Sequence, residues 1–307
     1  MDQDQSRMRD FVGYGSHIPQ VRWPNDAKVV VSVVINYEEG AEYSKLHGDP
    51  NQEFMGETPY AFPATHRDLG LESIYEYGSR VGIWRLFRLL DEYNIKASVF
   101  AAALAIELNP EVGEWIRAKG HEPVGHGWRW NEPWLLTRDE EKEQIQRTIL
   151  SLTKTCGQRP RGWYWRYAPS VNSRTLLVEE GGFIYDSNAY NDDLPYFDQI
   201  NGQKLLIVPY SFTYNDSRFV LAPGYGNPND FAEYCKAGLD ELLREGQEGY
   251  PKMMSIGLHP RITGQAGRTA GLRTFLDYAM RKPGVLFLRR IDIAEWWIAH
   301  YKEFRSY

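Results

Sequence analysis

The sequence predicts an α/β fold, a distorted or incomplete (β/α) barrel of about seven or eight short parallel strands, and three observations predict it. Residues 29–35 (VVVSVVI) are a β-branched apolar run with no polar alternation, the pattern of a strand buried on both faces of a parallel sheet. Strand-like and helix-like segments then alternate to the end of the chain. No internal repeat, low-complexity tract or Ser/Gly-rich linker interrupts the 307 residues, so one catalytic domain over 1–307 is expected. An open doubly wound sheet is the alternative arrangement of the same elements.

Each element has its own signal. The first strand ends at Asn36-Tyr37-Glu38-Glu39-Gly40, and a polar, Pro-containing stretch follows to about residue 70. Residues 81–93 place Ile83, Leu86, Phe87, Leu89 and Leu90 at helical spacing, and 97–101 (ASVFA) read as a second strand. Asn109-Pro110 opens a helix that stops at Gly120, before a short strand at 121–124. Thr137 with Glu140 three residues on is a capping box for a helix to about 155, followed by a strand at 162–166. A helix at 171–180 ends on Gly181-Gly182, a strand at 183–186 leads into a loop at 187–196, and 205–208 is an apolar run. Helices at 229–244, 268–281 and 291–301 alternate with strands at 253–258 and 284–288.

Composition narrows the function. Lys and Arg number 35 against 41 Asp and Glu, a net charge of -6, so nothing supplies the basic excess that nucleic-acid phosphates require. No stretch approaches the roughly 18 uninterrupted apolar residues of a membrane helix, and Met1 to Asp10 carries no apolar leader. A cytoplasmic protein acting on a small polar molecule is the expectation. The two cysteines, Cys156 and Cys235, have no metal-like spacing and read as free thiols.

In either α/β arrangement the site lies at the carboxyl ends of the strands. Those positions hold Asn36, Glu38 and Glu39; His126 with Trp128 and Trp130; Trp163 and Arg166; Asp186, Asp192 and Asp193; and His259 and Arg261. Taken singly, a Glu pair beside Gly is a solvated turn, an Arg a surface charge and a Trp a core residue. Carboxylates, imidazoles and guanidiniums converging on one rim walled by indoles instead suggest an acid/base hydrolase.

These residues also carry a resemblance. An acidic pair plus Gly after a strand, a His-Gly motif, Arg166-Tyr167-Ala168-Pro169 and a late Leu258-His259 resemble the polysaccharide deacetylase (NodB-homology) superfamily from about residue 11 to 300. Asn36-Tyr37-Glu38-Glu39-Gly40, Leu46-His47-Gly48, Gly125-His126-Gly127-Trp128-Arg129-Trp130, Tyr185-Asp186-Ser187 and Asp192-Asp193-Leu194-Pro195-Tyr196 are similar to the cofactor-independent allantoinases recruited from it. The resemblance implies a homotetramer and a role in uric acid breakdown, opening allantoin to allantoate. The superfamily's metal-dependent members use Thr-Phe-Asp-Asp-Gly, with one Asp as base, the other as ligand, and two histidines at i, i+4. Here Glu38 and Glu39 stand for the two aspartates, His126 matches the first histidine, and Trp130 stands in the place of the second. An indole offers a cation no lone pair, so no catalytic metal and no cofactor are expected.

The expected chemistry follows. Glu38 takes a proton from water attacking a ring carbonyl, Arg166 or Arg261 holds the oxyanion, and His259 protonates the leaving nitrogen. Desolvation by Trp128, Trp130 and Trp163 is expected to raise the carboxylate's pKa, with His126, Asn36, Glu39 and Asp193 contacting substrate. The division of labour between Glu38 and Glu39 stays open. Two departures, Trp165-Arg166-Tyr167-Ala168 and His259-Pro260-Arg261, keep a cyclic imide in play as substrate. The alternatives are a metal-dependent N-deacetylase, with His47 or an aspartate of 186–193 as substitute ligand, and an inactive sugar-binding protein.

Overall fold

In a strand successive side chains point to opposite faces, and β1 (Val29–Tyr37), buried throughout, divides by parity. Val29, Val31, Val33 and Ile35 pack under the helices, whereas Val30 and Val34 pack inside the curl of the sheet. Parity therefore aims Asn36 inward and Tyr37 outward.

A computed structural model describes residues 9–54, 58–222 and 224–304. Residues 1–8 of the polar N-terminal stretch lie outside the described residues. The other strands are β2 (Ser98–Ala101), β3 (Glu122–Gly125), β4 (Gly162–Trp163), β5 (Tyr185–Asp186), β6 (Tyr196–Ile200), β7 (Gln203–Ile207), β8 (Lys252–Leu258) and β9 (Val285–Phe287). They form one curled sheet in the order β6-β7-β5-β4-β3-β2-β1-β8, with β9 on the lower half of β1. This is the distorted, incomplete barrel the sequence predicts. Between its edges no strand closes the gap among the described residues; Asn215 makes a single parallel bridge to Gly257, and the Met253 N–H reaches the Asp193 carbonyl.

The helices are α1 (Leu69–Tyr77), α2 (Ile83–Glu92), α3 (Ala103–Leu108), α4 (Pro110–Lys119), α5 (Arg138–Cys156), α6 (Ser173–Glu180), α7 (Pro228–Gln247), α8 (Ala266–Ala279) and α9 (Arg290–His300). α5 opens with the expected Thr137/Glu140 capping box, and Gly120, at φ 72°, ends α4. α1 falls between the polar stretch read to about residue 70 and the helix read from 81, where no element was expected: Leu71 and Tyr75 alone are buried on it, too few to set a visible period. A π-turn at Gly78–Gly82 joins α1 to α2.

Two expectations change here. The strand expected at 162–166 is only two residues long. The parallel rule also breaks once, because β6 and β7 form an antiparallel hairpin: the loop expected at 187–196 ends where β6 begins, and the apolar run expected at 205–208 overlaps the end of β7. Its turn is Asn201-Gly202, at φ 49° and 78°, the dipeptide that two-residue hairpin turns favour. No helix among the described residues is long and apolar enough to cross a membrane.

The floor of the curl is polar as well as apolar. Arg290, the first residue of α9, is fully buried and donates to Ser187 and Ser255 at 2.9 Å each and to the carbonyls of Val208 and Pro209. Above it, Gly257 on β8 must lack a side chain, since a Cβ there would lie 2.0 Å from the Tyr210 hydroxyl. That hydroxyl accepts from Asn36 at 3.3 Å and Asn215 at 3.0 Å. Asn36 thus ties β1 to the floor and does not stand at the mouth of the site.

Candidate active site

The inward parity of β1 carries on past its end and separates the two glutamates. Glu38 turns into the curl, where one oxygen meets His126 Nε2 at 3.2 Å and His259 Nε2 at 3.6 Å, and the other accepts from Arg261 Nη1 at 2.8 Å. Glu39 turns to the helix side. It accepts the backbone N–H of Glu38 at 3.0 Å and of Arg261 at 3.2 Å, and packs so closely on the π-turn that a Cβ at Gly78 would lie 2.4 Å from its Oε1. Glu38 is therefore the carboxylate facing both imidazoles, and Glu39 holds the backbone that presents Arg261.

Four side chains meet in a space closed from water: Glu38 is 2% exposed, His126 1%, Arg261 1% and His259 7%. His126 leaves β3 on its inward face and donates Nδ1–H to the Tyr164 carbonyl at 2.6 Å, which turns Nε2 toward Glu38. His259 leaves β8 and donates Nδ1–H to Asp216 at 2.6 Å; the other Asp216 oxygen accepts the backbone N–H groups of His259 and Thr263 at 2.7 and 3.2 Å. Asp216 was not foreseen. It sits in a short turn after an irregular segment, and nothing around it in the sequence distinguishes it from a surface aspartate.

Charges in this space set one another. Burial raises the Glu38 carboxyl, but the Arg261 guanidinium and His259 outweigh it and hold the group well below the usual carboxylate range. The expectation that surrounding indoles raise this pKa is thereby corrected, because Arg261, His259 and the hydrogen bonds from the imidazoles together outweigh desolvation. Glu39, as buried as Glu38 but with less compensation, is pushed up to about 7 by burial and by the neighbouring Glu38 charge, against the pull of Arg261. Burial lowers His259, yet Asp216 and Glu38 lift it to about 9, so the imidazole is cationic at neutral pH.

The aromatic wall differs from the expected one. Trp130 is in place, 5.3 Å from the Arg261 guanidinium and 3.6 Å from that of Arg166. Trp163 is not: outward parity on β4 sends it into a core with Ile145, Leu177 and Phe183, and the inward residue is Tyr164. Trp128 is also outside the site, donating to Glu107 at 3.2 Å beneath the Arg147 guanidinium. Asp193 is at the wrong end of the sheet, since the chain after β5 runs back down and leaves it beside the second residue of β8. Arg166 is committed elsewhere: it bonds both oxygens of Glu53, at 2.7 and 3.0 Å, and the Trp130 carbonyl at 2.9 Å, which leaves Arg261 as the guanidinium on Glu38.

The donor set does not fit a divalent cation. Trp130 lacks a lone pair, Glu39 turns to the helix side and accepts backbone N–H groups, and the Arg261 cation 2.8 Å from Glu38 sets a positive charge beside the one carboxylate that faces the imidazoles. His47 is exposed and bonded to the Gly40 carbonyl, and Asp186 pairs with Arg174 at 2.8 Å. Among the described residues no three His, Cys, Asp or Glu side chains converge to hold a metal ion.

Comparison with known proteins bears on this geometry. A protein of Schizosaccharomyces pombe whose name places it among the polysaccharide deacetylases is 36% identical over 95% of this chain and 98% of its own. The chain belongs to the polysaccharide deacetylase family. The family model, polysaccharide deacetylase, matches residues 71–182. Two solved structures superpose with a TM-score of 0.91 each. A probable polysaccharide deacetylase of Pseudomonas aeruginosa PAO1 is 43% identical over 96% of this chain and 99% of its own, and Puue allantoinase is 42% identical over 95% and 98%. A peptidoglycan deacetylase of Helicobacter pylori is 28% identical over 46% of this chain. This deacetylase-family hydrolase brings Glu38, His126 and His259 together, with Arg261 set among them.

Proposed function

We propose that the protein is a metal-independent hydrolase of cyclic amides, opening the hydantoin ring of allantoin to allantoate in the breakdown of urate. The observation that carries this reading is the Arg261 guanidinium 2.8 Å from Glu38, a cation supplied by the chain itself. The likeness to Puue allantoinase along nearly the whole chain supports the choice of ring. A hydantoin carbonyl suits such a site, because its neighbouring ring nitrogen shares a lone pair between two carbonyls and leaves each more electrophilic than that of a plain acetamide.

Glu38 is ionised and accepts the proton of the attacking water. Alone it is a weak base, since Arg261 lowers its pKa. As water oxygen bonds to the ring carbonyl, the oxyanion competes with Glu38 for the guanidinium, and the carboxylate gains basicity as its partner is drawn off. His259, cationic and aimed by Asp216, delivers its Nε2 proton to the ring nitrogen as the C–N bond breaks. His126 orients Glu38 from the opposite side.

Two measurements test this. Protein exhaustively treated with EDTA should open allantoin, hydantoin or succinimide at the untreated rate and leave an N-acetylglucosamine oligomer intact. Activity abolished by the chelator and restored by zinc overturns the reading. Because the acid form of His259 is required, kcat should be level through neutrality and fall above about pH 9. Asp216→Asn removes the charge that opposes burial, so the falling limb should move to lower pH by more than one unit. An unmoved limb would take His259 out of the acid role.

A further inference from the structure

Four of the five non-glycine residues with positive φ among the described residues are Asn25, Asp26, Asn94 and Asn201, types whose short polar side chains tolerate that region. The fifth is Tyr167, at φ 57°. It is the centre of a three-residue turn closed by the Ala168 N–H on the Arg166 carbonyl at 2.7 Å, a conformation that is rare and strained for a bulky residue. The surroundings hold it there. The Tyr190 hydroxyl donates to the Tyr167 carbonyl, and Arg166 Nη2 donates to the Tyr167 phenol oxygen at 3.1 Å.

The turn places the half-buried ring in a particular spot. Its centroid lies 6.0 Å from that of Trp130, and the Arg166 guanidinium stacks against both rings, 4.8 Å from Tyr167 and 3.6 Å from Trp130. Trp130 in turn backs the Arg261 that stands on Glu38. Arg166, whose two terminal nitrogens are held by Glu53, the Trp130 carbonyl and the Tyr167 phenol, is then a prop for two aromatic faces.

The geometry points to Tyr167 as a specificity-determining residue, its strained turn holding the phenol ring beside Trp130 as a flat wall for a planar conjugated ring and against a puckered sugar. The inference rests on the cyclic-amide reading and deepens it. An unstrained backbone would swing the ring out of this position, so the strain persists at a cost to stability.

Three variants separate the ring from the backbone. Tyr167→Phe keeps the ring and should keep KM for allantoin or hydantoin within about threefold. Tyr167→Ala and Tyr167→Gly both lose the ring and should raise KM about tenfold with a smaller change in kcat, the worth of one aromatic contact. Only Gly takes φ 57° without strain, so Tyr167→Gly should melt at a higher temperature than Tyr167→Ala. KM would then follow the ring while stability follows the backbone. A Tyr167→Gly enzyme with the wild-type KM, or a KM that tracks melting temperature across the three, overturns the inference and leaves the cyclic-amide reading standing. A wild-type enzyme that opens none of the rings removes both.

Discussion

Glu38→Gln is expected to lower kcat by about 10²- to 10⁴-fold, the range for loss of a general base, while substrate affinity changes little. The amide keeps the shape and still accepts from Arg261, but it cannot take a proton from water. A second effect separates this from simple misfolding. Arg261 is 1% exposed and loses its principal counter-charge, and breaking a buried pair from one side costs about 3–5 kcal/mol. The variant should melt at a lower temperature, and adding Arg261→Met should recover part of the stability without recovering turnover. Steady-state kinetics with calorimetry of both variants check this. Wild-type kcat in Glu38→Gln removes Glu38 from the mechanism.

Arg261→Met should cost about 10²- to 10³-fold in kcat, as removal of an oxyanion partner does. It should also change the pH profile in a defined direction. Burial raises the Glu38 carboxyl and Arg261 is the foremost group lowering it, so without the guanidinium the folded-state pKa rises. The base form is then lost at a higher pH, and the acid limb of kcat/KM, which in the wild type lies below the ordinary carboxylate range, should move up by at least one unit. A profile that drops in height without shifting would mean that Arg261 acts on substrate alone and does not tune Glu38.

Much of the barrel was legible locally. The β-branched run at 29–35, the capping box at Thr137 and the helix stop at Gly120 each encode an element through near neighbours, and each element formed. The hairpin of β6 and β7 was equally legible in Asn201-Gly202, a signal the segment reading passed over. α1 was not legible, because only two of its residues are buried. In the site, strand-end position found Glu38, His126, His259 and Arg261. It misplaced Trp163 because two-residue β4 gives no alternation from which to read a face, and Asp193 because the chain's return after β5 leaves no local mark.

By itself the sequence determined which residue types end the strands: a glutamate pair, two histidines, a tryptophan where a second metal-binding histidine would stand, and an arginine after the late histidine. The tertiary structure decided which of them face one another. Glu38 points inward and Glu39 outward because side chains alternate along a strand whose curl brings residues 88 to 223 positions apart into contact. Arg261 rather than Arg166 meets Glu38 because Glu53, distant in sequence, claims Arg166 first. The charge states of Glu38 and His259 exist only in that closed space, since neighbours at 2.6–2.8 Å and the exclusion of water set them, and neither is present in an extended chain.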